Sequence, residues 1–251
     1  MNISLIIPCY NEETNIQKGV LDKIGNYTKE DDRFPEVLIV DDGSSDASKE
    51  IIKKRYLTLF SKFRLIENTH NGKAYAVITG IQQAKSAYII FSDMDLATPI
   101  EEVEKLIEYA QNGYEIVIGS RNRNREGAPL TRKVLALGFI TIRNLMIGLK
   151  GIRDTQCGFK MFKTEPARQI IERLRVFNKN HVIKTPSVTA GFDLEFLFLA
   201  AKLNLGIKEV PVTWRHVETK RVNFLKDSLE TIGDICRIKM YDLTNQYASP
   251  K

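Results

Sequence analysis

Short β-branched runs alternate with helix-like stretches through the first half of this chain, and that alternation limits its fold more than any other feature. Ile3-Ser4-Leu5-Ile6-Ile7, Val37-Leu38-Ile39-Val40, Phe63-Arg64-Leu65-Ile66 and Ala87-Tyr88-Ile89-Ile90-Phe91 each read as a strand, with another at 115–118. Pro8 is expected to stop the first strand, and Thr14 to cap a helix running toward Gly25. Further helices are expected up to about Leu57, after Gly72, and from Pro99 to about Gln111. Runs that are apolar on both faces and joined by helices specify a mostly parallel sheet covered on both sides. The fold class is therefore α/β. Ligands of such sheets bind outside the carboxyl ends of the strands, and the polar segments 8–12, 41–44, 93–95 and 119–121 all fall at those ends.

The second half is less regular. A polar loop at 120–133 carries Arg121, Arg123, Arg125, Arg132 and Lys133, and 130–150 reads as a mostly apolar helix interrupted by Arg143. Gly158–Lys163 is expected to add a strand, Pro166–Leu174 a helix and 175–190 a long loop. A helix is expected at Asp193–Leu203, a strand at Ile207–Thr213, and an amphipathic helix near Phe224–Tyr241. No repeat, low-complexity tract or linker divides the 251 residues, so a single domain is expected. The net charge of +6 suits polyanionic partners. The three cysteines have neither metal-ligand spacing nor an even disulfide set, which suggests a reducing compartment. No signal peptide is apparent, and no run of 18 uninterrupted apolar residues marks a membrane span.

Two carboxylates, Asp93 and Asp95, stand where the run ending at Phe91 gives out. If the segment is extended, residues two apart point the same way, so both can reach one Mg²⁺ or Mn²⁺ together with substrate phosphates. The alternative is a solvated turn. Asp41-Asp42-Gly43-Ser44 reads either as a turn with a helix cap or as a hydrogen-bond acceptor for a base or ribose. Lys73, in His70-Asn71-Gly72-Lys73, is either a diphosphate counter-ion or a surface charge. Neither GxGxxG nor GxxxxGK[ST] occurs, which argues against a dinucleotide site and a P-loop ATPase. The arginine loop lacks the interleaved aromatics of single-strand binders, so a small phosphorylated acceptor fits it better than nucleic acid, beside a solvated basic face. His181 and His216 have no Ser or Cys partner in a recognisable motif, and Cys157 reads as packing.

Taken together, Ile6-Ile7-Pro8-Cys9-Tyr10-Asn11-Glu12-Glu13 and Val40-Asp41-Asp42-Gly43-Ser44-Ser45-Asp46 resemble the nucleotide-binding half of inverting family-2 glycosyltransferases with the GT-A fold. Asp93-Met94-Asp95 is similar to that family's Asp-x-Asp metal motif. Gly119-Ser120-Arg121 and Arg132-Lys133 match its polyprenyl-phosphate branch. Asp154-Thr155-Gln156-Cys157-Gly158-Phe159-Lys160-Met161-Phe162 and Gly191-Phe192-Asp193-Leu194-Glu195 resemble segments of dolichyl-phosphate β-glucosyltransferases. The resemblance spans roughly residues 3–220.

The resemblance implies a nucleotide-sugar donor, a dolichyl or polyprenyl phosphate acceptor, and Mg²⁺ or Mn²⁺ on Asp93 and Asp95. Pro8, Tyr10, Asn11 and Glu12 would frame the nucleotide, with Val40 and Asp42 around the base. Asp93, Met94 and Asp95 would lie along the ribose and diphosphate, with Lys73 and Lys220 against the diphosphate. Arg121 and Arg132 would hold the acceptor phosphate, and Asp154 and Asp193 would orient the sugar or act as base. Residues 1–120 would bind the donor and 121–220 the acceptor, with 221–251 as a C-terminal helix. Ala97 departs from the mannosyl branch, which often has Gln there. That branch also lacks an acid at the position of Asp193, which favours glucose from UDP-glucose over mannose from GDP-mannose. The family's usual membrane helices are not found, so peripheral attachment to the cytosolic face is expected instead, with Arg132, Lys133, Arg143 and Lys150 near lipid phosphates. Self-association is left open. A nucleotidyltransferase would need a Gly-rich loop after the first strand, and a basic binding module would leave the strand-end aspartates unexplained.

Overall fold

The computed structural model describes residues 1–121, 130–149, 151–177, 190–215 and 224–248. Its centre is a seven-stranded sheet in the order β3-β2-β1-β4-β6-β5-β7. The strands are β1 (Ile3–Cys9), β2 (Glu36–Asp41), β3 (Phe63–Glu67), β4 (Tyr88–Ser92), β5 (Ile116–Arg121), β6 (Phe159–Lys163) and β7 (Ile207–Val212). Every pairing is parallel except those of β6, which runs antiparallel between β4 and β5. The mostly parallel sheet expected from the sequence is present. The direction of β6 brings its start, Phe159, beside Ser92 at the carboxyl end of β4.

Side-chain alternation gives each face of the sheet its own core. Ile6, Leu38, Val40, Ile89, Phe91, Ile116, Ile118 and Phe162 pack on one side, and Leu5, Ile7, Val37, Ile39, Ile90, Val117 and Met161 on the other. Because both faces are dry, the strands read as continuous apolar runs rather than alternating ones. The described α-helices are α1 (Glu13–Gln17), α2 (Val20–Thr28), α3 (Ser48–Ile51), α4 (Leu57–Leu59), α5 (Lys73–Gln83), α6 (Val103–Gln111), α7 (Leu130–Ile147), α8 (Thr164–Arg173), α9 (Ala190–Lys202) and α10 (Phe224–Leu243), with a π-helical stretch at Ile52–Tyr56 and a 3-10 turn at Ile100–Glu102. The first core lies under α5, α8 and α9, the second under α2 and α6.

Two local expectations are corrected. Pro8 does not end β1; it continues the ladder opposite Val40. The carbonyl of Cys9 accepts from Asp42 N–H on the β2 side, so alternation turns the Pro8 nitrogen toward β4, whose pairing with β1 already stops at Ile6. A missing N–H costs nothing there. Thr14 is not a cap: α1 starts at Glu13 with no side-chain cap bond, and Gly19, at φ 77°, breaks the helix before α2.

Candidate active site

The loops after β1 and β2 are laced together. Asn11 has φ 53°, and its side-chain oxygen accepts from Ser45 N–H at 2.8 Å and Asp46 N–H at 3.3 Å. Ser44 and Ser48 hydroxyls accept from the amides of Asn11 and Glu12. Asp42 is 1% exposed, and its carboxylate accepts from Asn71 N–H at 3.0 Å, Gly72 N–H at 2.7 Å and His70 Nδ1 at 2.8 Å. That grip lays the His70 ring on Tyr10, with centroids 4.0 Å apart and planes 13° from parallel. Gly72, at φ 92°, then turns the chain into α5 and delivers Lys73 to the sheet edge. Asp42 is thus occupied in holding the 70–72 loop, and Pro8 and Val40 are buried in the sheet beneath it. The half-buried surface here is the Tyr10–His70 plate, a platform suited to a flat ring.

Asp93-Met94-Asp95 is a turn, not an extended segment: Leu96 N–H bonds back to Asp93 O, and Leu96 has φ 46°. The two acids still share a side, because Met94 drops into the core at 3% exposure while both of them stay half-buried. Met94 therefore offers a ligand its backbone rather than its side chain. Asp93 pairs with the Lys73 ammonium, and Asp95 accepts from Ala97 N–H at 2.9 Å. Burial, then the neighbouring charge of Asp93, holds the Asp95 carboxyl above the usual carboxylate range. Burial alone would lower the Lys73 pKa, but Asp93, Asp193 and Asp95 outweigh it and raise it. The turn therefore has room for positive charge. Among the described residues no third His, Cys, Asp or Glu joins the pair, so a closed all-protein cage is not built here. Two carboxylates that leave the remaining positions to phosphate oxygens and water fit Mg²⁺ or Mn²⁺.

The antiparallel strand supplies the rest of the edge. Arg121, ending β5, binds Asp154 through Nε at 2.7 Å, Nη2 at 2.8 Å and its own N–H at 3.0 Å. Burial opposes ionisation of Asp154, but this clamp overrides it and holds the carboxyl below its ordinary range. Glu209 on β7 accepts from the amides of Arg153 and Asp154, fixing that loop. The Arg121 guanidinium also lies 5.9 Å from the Trp214 ring. Arg215 N–H bonds Ala97 O at 2.7 Å, tying the exit of β7 to the Asp93–Asp95 turn. Cys157 is buried, which pushes its thiol up to about 11; it packs, as expected. Lys160 is 1% exposed, with Nζ 2.7 Å from Asp193 Oδ1, 2.6 Å from Cys157 O and 5.1 Å from the Phe91 ring centroid.

Of the residues singled out in the sequence, Tyr10, Asn11, Glu12, Asp42, Lys73, Asp93, Asp95, Arg121, Asp154 and Asp193 gather along this edge. Lys220 lies outside the described residues, as does the side chain of Arg132. Arg143 does not face lipid: it is 1% exposed and donates to the carbonyls of Ile152 and Arg153, satisfying the loop that leads to Asp154. His70, Lys160, Glu209 and Trp214 were not singled out as site residues. A lysine inside the apolar run Phe159–Phe162 was the one available signal among them.

The family model for glycosyl transferase family 2 matches residues 4–171, which contain the paired acids, the Arg121–Asp154 clamp and Lys160. The chain belongs to glycosyl transferase family 2. This glycosyltransferase is 33% identical to a dolichyl-phosphate beta-glucosyltransferase of Dictyostelium discoideum, over 94% of this chain and 73% of that protein. It is 32% identical to the enzyme of that name from Saccharomyces cerevisiae, over 99% and 77%, and 30% identical to the one from Homo sapiens, over 98% and 77%. A crystal structure of Mycobacterium tuberculosis glucosyl-3-phosphoglycerate synthase with Mn²⁺, UDP-glucose and phosphoglyceric acid superposes with a TM-score of 0.68 at 18% identity, covering 95% of this chain and 80% of that one. A further structure of that synthase holds Mg²⁺ and UDP. The GT-A fold expected from the sequence is therefore present.

Proposed function

We propose that this family-2 glycosyltransferase moves glucose from UDP-glucose to dolichyl or a related polyprenyl phosphate, with inversion and with Mg²⁺ or Mn²⁺. The observation that carries this reading is the meeting, on one sheet edge, of the paired acids Asp93 and Asp95 beside Lys73 and an Arg121–Asp154 pair. Its support is the sustained similarity to dolichyl-phosphate beta-glucosyltransferases. Residues 1–120 take the donor and 121–220 the acceptor. The uracil ring lies against Tyr10 and His70, and the diphosphate runs toward Lys73 and the Asp93–Asp95 turn. A divalent cation held by Asp93 and Asp95 would offset the charge that develops on the departing diphosphate. The Arg121 guanidinium spends two donors on Asp154 and keeps others for an acceptor phosphate, with Arg132 and Lys220 as further phosphate ligands. A phosphate monoester is anionic near neutral pH, so its oxygen attacks the anomeric carbon opposite the leaving group without a strong base. The protein's main work is to align two polyanions.

The acceptor reaches the site from a membrane surface on the cytosolic side. No helix among the described residues is long and apolar enough to cross a membrane. Ile142 and Leu145 on α7 are 43% and 81% exposed, and Met240 and Leu243 on the contacting α10 are 51% and 72% exposed. These side chains suit the interface of a bilayer. The test is incubation with UDP-glucose or GDP-mannose and a polyprenyl phosphate, read by mass spectrometry. Glucosyl-lipid with Mn²⁺ or Mg²⁺, lost in chelator and lowered at least a hundredfold in Asp95→Asn, is expected. Transfer only from GDP-mannose, only to a soluble acceptor, or undiminished in chelator would overturn it.

A further inference from the structure

We propose that Lys160 is a positioning residue that fixes Asp193 as a hydrogen-bond acceptor for a hydroxyl of the transferred sugar. This rests on the donor reading above. Lys160 sits on β6 between Phe91 and Ile118 of the neighbouring strands, where a strand built for stability alone would carry an apolar side chain. Burying an ammonium is costly unless each of its donors is matched. Here it meets Cys157 O at 2.6 Å, Asp193 Oδ1 at 2.7 Å and the Phe91 ring.

The two partners of this pair are unequally covered. The Lys160 side chain is 2% exposed and that of Asp193 19%. A sealed cation thus supports a carboxylate that stays partly exposed. Lys160 takes Oδ1, and no described residue donates to Oδ2. Asp193 lies in the first turn of α9, across from Lys73, whose other carboxylate neighbours are Asp93 and Asp95. Lys73, paired with Asp93, and Lys160, paired with Asp193, both lie against the Phe91 ring, 6.0 Å and 5.1 Å from its centroid, so Asp193 neighbours the acidic turn and its lysine. A sugar is bonded to the diphosphate, so the group next beyond the diphosphate's residues faces the sugar. A carboxylate oxygen paired with an ammonium on one side accepts hydrogen bonds on the other, which selects a hydroxyl donor. Without Lys160, Asp193 would stand beside two other acids with no sealed counter-charge to hold its rotamer.

Lys160→Met, Lys160→Arg, Asp193→Asn and the Lys160→Met/Asp193→Asn double variant distinguish this from a purely structural ion pair. Steady-state transfer from UDP-glucose, calorimetric binding of UDP with Mn²⁺, and Tm are measured for each. Lys160→Met and Asp193→Asn should each lower kcat/KM by roughly 10- to 100-fold, with UDP affinity kept within about twofold. The double variant should be no worse than the poorer single one, and Lys160→Arg should recover part of the loss. Should Lys160→Met fail to fold, Lys160→Gln carries the same comparison. Multiplying single effects, wild-type turnover in Asp193→Asn, or losses of UDP binding that follow Tm would overturn the proposal while leaving the donor reading intact. A wild-type protein that binds UDP and Mn²⁺ yet transfers no glucose would overturn both.

Discussion

Gly158 faces Asp93 so closely that a β-carbon there would lie 2.0 Å from Oδ2 and 2.4 Å from Cγ. A methyl group can be accommodated only by moving the carboxylate, and Asp93 is held by Lys73 on its other side. Gly158→Ala should therefore act on the acidic turn rather than on the fold. The expected outcome is a loss of Mn²⁺ affinity by about tenfold or more, measured by the electron paramagnetic resonance of free Mn²⁺, with Tm shifted by no more than a few degrees. Unchanged Mn²⁺ binding would show that Asp93 is not a ligand. At this scale the sequence was informative about residue type and poor about partners. The paired acids stood out because they end an apolar run. That Arg121 is spent on Asp154, and that Asp42 faces inward to hold His70, depends on segments 28 to 33 residues apart, which no local pattern reports.

Among the elements, α9 illustrates how closely a site side chain and a structural one can neighbour each other. Asp193 stays partly exposed, while Glu195, two residues on, is wholly buried. The Glu195 carboxylate accepts from Arg175 N–H at 2.8 Å, Val176 N–H at 2.9 Å, Phe177 N–H at 3.0 Å and Tyr247 Oη at 2.8 Å. It thereby ties the stretch after α8, and the C-terminal Tyr247, to one helix. Glu195→Gln turns one acceptor oxygen into a donor that faces other donors. The cost should be about 2–4 kcal/mol, seen as a lower urea midpoint, with kcat per folded molecule little changed. A loss of kcat at full stability would instead give Glu195 a part in the chemistry. In the sequence, Phe192-Asp193-Leu194-Glu195 appeared as a single acidic motif; only burial separates its two acids. The parallel strands were readable because both of their faces are dry. The turn at Asp93–Leu96 was not, since its shape is set by Met94 finding the core and by Gly158 O accepting from Asp93 N–H.

The whole molecule answers to pH through groups that pull in opposite directions. Asp31, Glu36, Asp46 and Asp154 are held below their ordinary range by basic side chains or hydrogen-bond donors, so the stability they add is lost on acidification. Asp234 on α10 opposes them. It presses on the first turn of α9, where a β-carbon at Gly191 would lie 2.0 Å from its Oδ2. Burial raises its carboxyl to about 6; Arg237, 2.9 Å away, only partly offsets this, and the charges of Glu195 and Glu230 add to it. A raised acid binds its proton more tightly in the folded chain than in the unfolded one. Its contribution is therefore fully present below the unfolded value of 3.8 and is lost as the pH rises through about 6. The difference of about two pKa units corresponds to about 3 kcal/mol of destabilisation at neutral pH. Asp234→Asn removes that penalty, so its Tm should exceed that of the wild type by several degrees at pH 7.5, and the gap should close between pH 6 and 4. Scanning calorimetry across that range decides it: a gap that persists at pH 4 would assign the gain to packing against Gly191 rather than to the buried charge. The α9–α10 junction would then be limited by shape, and the acidic residues around it would have no hold on how firmly Asp193 is presented to the cleft.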